Sequence, residues 1–243
     1  MATSPHNPFG VSRFMHGLAR FLFRISGWQI EGAVHRPERF VLISAPHTSY
    51  WDAIVLLVAA HIFRVKLSWY VKSEAFIFPL SLLIRYFGGI PIYRRHRRNM
   101  VAQAVEDFAN KERLILAVPP EGTRGRTPYW KTGFYHIARN ANVPLVLGYI
   151  DFKRKVAGLG PAFVPTGDIA ADFEIFREFY AKVTPKYPEL RGNVAVDPRV
   201  IGATEPQPLV EPPVAAGTAA EADRAGNRLP GLDHLGPEPS LVD

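Results

Sequence analysis

The chain has 243 residues, 47% of them hydrophobic, no cysteine and a formal net charge of +7. That length and apolar share allow a sizeable core in one or two domains, and the lack of cysteine rules out disulfides, thiolate catalysis and cysteine-based zinc sites. The charge is lopsided: residues 201–243 hold seven acids and two arginines, about −5, which leaves about +12 on the first 200 residues, a balance that calls for nucleic acid, anionic lipid or a phosphorylated substrate as partner.

Residues 11–28 carry Val11, Phe14, Met15, Leu18, Phe21, Leu22 and Ile25 at helical spacing, with Arg13, His16, Arg20 and Arg24 on another side. Apolar bulk beside arginine is the pattern of an interfacial helix, and equally of an amphipathic helix docked on a core. No segment offers the roughly 20 apolar residues of a membrane-spanning helix: the best run, Ala53 to Phe63, is short and contains His61. No signal peptide is read either, since Arg24 breaks the run Phe21–Ile25 and no small-residue cleavage site follows. Membrane contact is therefore expected at the surface.

Strand-like and helix-like segments then alternate. Strands are expected at 40–45, 67–71, 90–93, 114–118 and 145–150, and helices at 51–63, 97–110, 131–140 and 172–183, with two short helices in 74–87 around Pro79. Strands separated by helices of this length predict an α/β fold, a mixed, largely parallel sheet flanked by helices. The last segment is rich in proline, alanine and scattered acids with no apolar periodicity, too polar to offset its ordering entropy. The layout is an amphipathic helix (1–28), one folded domain (29–200) and a disordered acidic tail (201–243).

Three polar clusters follow predicted strands, where open α/β sheets place their ligands. The first is His47-Thr48-Ser49-Tyr50-Trp51-Asp52. Across a strand-to-helix turn, Asp52 can fix the His47 tautomer and leave the other nitrogen as a general base; it also stands where a helix cap belongs. The second, Gly88 to Arg95, ends a short strand in a basic run, and an arginine fork such as that of Arg94 grips phosphate in bidentate fashion; Arg97 and Arg98 fit a solvated helix start. The third, Val118-Pro119-Pro120-Glu121-Gly122-Thr123-Arg124, combines a stiff exit, a permissive glycine and polar side chains, with Lys131 beginning the next helix. Strands of one sheet would bring the three to a common edge.

In their order and spacing over roughly residues 30–150, these clusters resemble the glycerolipid acyltransferases of the H-x4-D type, the lysophosphatidic acid acyltransferase family. His47 to Asp52 matches the H-x4-D box, Gly89 to Arg94 the glycine–strand–arginine block, Pro120 to Arg124 the P-E-G-T-R block, Lys131-Thr132-Gly133 the lysine–glycine segment and Val143 to Val146 the apolar fourth block. The resemblance implies that His47 deprotonates the acceptor hydroxyl, that Asp52 orients it, and that Arg94, Glu121, Gly122, Thr123, Arg124 and Lys131 bind the acceptor. It implies acyl-CoA or acyl carrier protein as donor, a lysophospholipid acceptor, no metal and no cofactor; from the missing signal and the basic surface, a peripheral place on the cytoplasmic face of the cell membrane is expected. Segment 74–87 would help wall an acyl-chain tunnel, or be core. Two departures, Tyr93 for an acid and Leu147 for a proline, are expected near the acceptor and leave lysophosphatidate, another lysophospholipid, glycerol phosphate and a different lipid alcohol all open.

Other classes predict other features. A catalytically silent basic membrane module would not need His47, Asp52 and Glu121 together. Nucleic-acid binding would interleave aromatic and basic residues, which the arginine run does not do. A serine hydrolase acting through Ser49 or Ser44 would need a nucleophile elbow, and no G-x-S-x-G surrounds either.

Overall fold

Strand β2 (Arg39–Ala45) is apolar on both faces, so it needs cover on both sides. The computed structural model, which describes residues 11–36, 38–92 and 99–201, places it at the centre of a seven-stranded sheet. The other strands are β1 (Gln29–Glu31), β3 (Leu67–Lys72), β4 (Gly89–Ile92), β5 (Leu114–Val118), β6 (Leu145–Asp151) and β7 (Val156–Phe163), in the order β1-β7-β6-β2-β5-β3-β4. Every pairing is parallel except β6 with β7. This is the expected mixed, largely parallel α/β sheet.

The helices are α1 (Arg13–Ser26), α2 (Tyr50–Phe63), α3 (Leu80–Tyr86), α4 (Asn99–Asn110), α5 (Gly133–Asn140), α6 (Ile169–Ala181) and α7 (Pro198–Ile201). The pleat of β2 sorts them. Val41 and Ile43 face a core made with Phe108 of α4, Phe134 of α5 and Phe176 of α6. Phe40 and Leu42 face the opposite side, toward Ala60 of α2. Helix α1 lies outside α2, with Phe23 packed against Val55 and Ala59, and His16 Nδ1 is 3.0 Å from the His61 carbonyl.

Several expectations are corrected. β7 and the short β1 beside it were not foreseen, because Val156–Phe163 contains Gly158, Gly160 and Pro161. Those small residues have a packing reason: a Cβ at Gly158 would lie 2.5 Å from the Tyr149 ring, and one at Gly160 would lie 2.5 Å from the Phe179 ring. Pro161 lies beyond the stretch of β7 that pairs with β1, so its missing N–H costs that pairing nothing. Helix α6 begins at Ile169, three residues before the predicted start, because Asp168 caps it by accepting from Ala170 N and Ala171 N at 3.1 and 3.0 Å; α7 follows it. In segment 74–87, Ile77, Phe78, Leu80, Leu82, Leu83 and Tyr86 are exposed, so they are not core. A separate apolar hollow between α2 and the sheet is walled by residues such as Leu42, Leu56, Phe63 and Leu67, none of them from 74–87. Leu147 is fully buried in mid-β6, in core rather than at the site. Arg94, Tyr93 and the tail from 202 onward lie outside the described residues.

Candidate active site

The chain leaves β2 to form α2 and returns as β3, on the far side of β5. It leaves β5 through α5 to reach β6, on the far side of β2. The crossing of these two connections opens a crevice at the carboxyl ends of β2 and β5, the usual ligand position in such sheets. His47 emerges from β2 into this crevice, and Glu121 to Arg124 emerge beside it from β5.

His47 Nδ1 lies 3.3 Å from Asp52 Oδ2. The same Oδ2 accepts from Thr48 N at 2.7 Å and Ser49 N at 2.8 Å, while Oδ1 accepts from Ser49 Oγ at 2.9 Å. Asp52 therefore ties down the first turn of α2 and faces the imidazole at once: the cap reading and the catalytic reading describe one carboxylate. Burial pushes its pKa up, but the hydrogen bonds from His47, Ser49 and Thr48 outweigh burial and hold it below the ordinary value. A carboxylate that stays ionised on the Nδ1 side keeps the proton there and leaves Nε2 as an acceptor. Ser49 Oγ is committed to Asp52 and buried, which disfavours it as a nucleophile.

Glu121 is buried. Its Oε1 accepts from the His47 main-chain N–H at 3.1 Å, and its Oε2 has no hydrogen-bond partner among the described residues. Burial raises its pKa, against opposing hydrogen bonds and the nearby His47. The carboxylate thus pins the backbone of the histidine. Beyond it, Gly122 turns at φ +63°, and a Cβ there would meet Lys131 Nζ at 2.6 Å. The glycine is what lets the lysine cross the loop. Thr123 Oγ1 accepts from Gly125 N at 3.2 Å. Arg124 is exposed, its guanidinium carbon 3.7 Å from the centroid of the Tyr50 ring and its Nη2 donating to Tyr50 Oη at 2.8 Å.

The structure thus gathers His47, Asp52, Glu121, Gly122, Thr123, Arg124 and Lys131 at one sheet edge. Among the described residues, no group of three or more His, Asp or Glu side chains is disposed to hold a metal. Sequence reasoning missed residues 183–196, which wrap back over the crevice. Tyr187 N donates to Thr48 Oγ1 at 3.3 Å, Asn193 N to Thr127 O at 2.9 Å and Trp130 N to Ala195 O at 2.9 Å. Arg191 braces this strap by donating to the carbonyls of Val183, at 3.1 Å, and Tyr180. With no regular periodicity, the strap gave the sequence no signal beyond its aromatic and basic residues.

A family model described as Acyltransferase matches residues 28–149, half of the chain. No curated protein sequence matches it. Among solved structures, the crystal structure of the 1-acyl-sn-glycerophosphate acyltransferase PlsC from Thermotoga maritima is similar over 70% of this chain and 75% of that one, at 20% identity and a TM-score of 0.49.

Proposed function

The chain belongs to the acyltransferase family, and on that premise we propose that it moves a fatty acyl group from a thioester donor, acyl-CoA or acyl carrier protein, to a hydroxyl of a phosphorylated glycerolipid such as 1-acylglycerol 3-phosphate. The observation that carries the reading is the 3.3 Å contact between His47 Nδ1 and a buried, ionised Asp52, set beside the cations Arg124 and Lys131. Nε2 of His47 takes the proton of the acceptor hydroxyl as its oxygen attacks the thioester carbonyl. The C–O bond forms, the C–S bond breaks, and the imidazolium returns the proton to the departing thiolate. Asp52 stabilises the imidazolium in between. Arg124 and Lys131, with Arg94, bind the acceptor phosphate, and Gly122 and Thr123 shape the loop between them. Glu121 acts through the His47 backbone as a positioning residue. Holding two substrates in register contributes much of the rate.

A lipid acceptor must be reached at a membrane. Among the described residues no helix is long and apolar enough to cross one. The exposed Phe14, Phe21 and Ile25 of α1, with Ile77, Phe78 and Leu82 around α3, support a peripheral seat, here assigned to the cytoplasmic face.

The test is acyl transfer from radiolabelled acyl-CoA and acyl carrier protein to lysophosphatidate, other lysophospholipids and glycerol phosphate, with His47→Ala in parallel. Transfer by the wild type that drops by about 10²–10⁴-fold in the variant is expected for loss of a general base. Full activity in His47→Ala would refute the mechanism, and no transfer from either donor to any acceptor would leave a membrane-binding module without catalysis.

A further inference from the structure

The first turn of α2 carries two exposed aromatic rings, and each packs against a cation from a different loop. Tyr50 stacks under Arg124, which follows β5. Trp51 meets Lys186, whose Nζ lies 5.6 Å from the Trp51 ring centroid, 5.5 Å from that of Phe152 and 5.7 Å from that of Tyr187. Phe152 directly follows β6, and Tyr187 is the residue tied to Thr48, next to His47. Since β2 lies between β5 and β6, Arg124 and Lys186 stand on opposite sides of the strand that delivers the histidine.

Lys186 is half-buried, yet among the described residues no carboxylate pairs with it. Three aromatic rings surround its ammonium without neutralising it. A cation fixed in place, desolvated in part and lacking a counter-ion is arranged to receive an anion. It also lies beyond residues 28–149, so the family match says nothing about it. The proposed reaction joins two anionic substrates at one imidazole, and the acceptor phosphate occupies the β5 side with Arg124 and Lys131. The β6 side remains for the other.

We infer that Lys186, in its cage of Trp51, Phe152 and Tyr187, binds a phosphate of the phosphopantetheine-bearing acyl donor. The inference takes its donor from the function proposed above, and the two can fail separately. The shared chemistry is a phosphate ester on a pantetheine arm, whether carried by coenzyme A or by a carrier protein.

Calorimetric titration of coenzyme A, 4′-phosphopantetheine and pantetheine into the full-length protein tests it without requiring turnover. Lys186→Met keeps an unbranched apolar stem between the rings, and an unchanged melting temperature would show the cage intact. Loss of one charge-assisted contact predicts about tenfold weaker binding of coenzyme A to K186M, near wild-type binding to K186R, and identical binding of pantetheine to all three proteins. A matching loss for 4′-phosphopantetheine assigns Lys186 to the phosphate that both donors share; a loss confined to coenzyme A assigns it to the nucleotide phosphates. Wild-type affinity in K186M, an equal loss for pantetheine, binding of none of the three by the wild type, or a rise in acceptor KM in place of donor affinity would each overturn it. Absence of acyl transfer in the wild type alongside Lys186-dependent coenzyme A binding would sink the reaction and keep the site.

Discussion

At the scale of single residues, the site rests on two buried carboxyl groups whose pKa values are shifted in opposite directions. Asp52 has its pKa lowered, because the hydrogen bonds it accepts overcome burial. Its contribution to stability is therefore fully present above the unfolded carboxylate value of about 4 and is lost as pH falls through the lower folded value. Asp52→Asn should cost about 1.5–3 kcal/mol at pH 7, the worth of hydrogen bonds to a charged group, and progressively less below pH 4; urea unfolding at both pH values reads this, and a pH-independent cost would refute it. Glu121 has its pKa raised by burial. Its native state binds the extra proton, so its contribution is present below the unfolded value and fades as pH rises through the folded one. Glu121→Gln keeps an oxygen to accept the His47 N–H and removes the buried charge. The variant's melting temperature should rise relative to wild type as pH increases above the unfolded carboxyl value, and a flat difference would show that Glu121 is not the group titrating. The residue types and spacing of His47, Asp52 and the 120–124 block were legible in the sequence, since each follows a recognisable strand. That Glu121 would bind the main chain of His47, 74 residues away in sequence, was not legible, because a distant backbone N–H leaves no trace in the choice of side chain. Lys186 escaped for a related reason: its three ring partners come from three separate segments.

Elements with a strong apolar run or face were legible within a residue or two: β2, β5, α2 and α5 formed where their patterns placed them. β7 was not, because its glycines answer to Tyr149 and Phe179 on neighbouring elements, a tertiary cause that reads locally as a loop. Helix α1 shows a finer limit. At about 100° per residue, its side chains fall into three groups. Ala19 and Phe23 dock inward, Arg13, Arg20 and Arg24 form a basic edge, and Phe14, Leu18, Phe21, Leu22 and Ile25 form an apolar stripe exposed to solvent. Periodicity announced an amphipathic helix, but not that its larger apolar stripe would face away from the core. That outward stripe argues for lipid contact. Phe21→Glu with Ile25→Glu should abolish co-sedimentation with anionic vesicles, since burying each side chain is worth about 1.5–3 kcal/mol, while surface changes of this kind alter unfolding by only about 0.5 kcal/mol. Vesicle binding that survives the double substitution would remove α1 from the membrane seat.

Over the whole molecule, apolar stripe and positive charge together predict two separable terms in membrane binding. The first 200 residues carry about +12. Each basic residue near an anionic surface contributes about 1 kcal/mol, and this attraction falls off within a Debye length that shrinks from about 10 Å at 0.1 M salt to about 3 Å at 1 M. Burial of the α1 stripe does not depend on ionic strength in that way. Raising salt from 0.05 to 0.5 M should therefore weaken binding to phosphatidylglycerol vesicles by tenfold or more, down to a residual affinity close to that for phosphatidylcholine vesicles, which should change little across the same range. The double-glutamate variant should show no such residual affinity at high salt. Equal salt sensitivity on the two lipids would mean that the basic surface does not face the membrane. Its charge would then be directed at the phosphorylated substrates alone, and the lipid would be drawn in by the apolar stripe without electrostatic help.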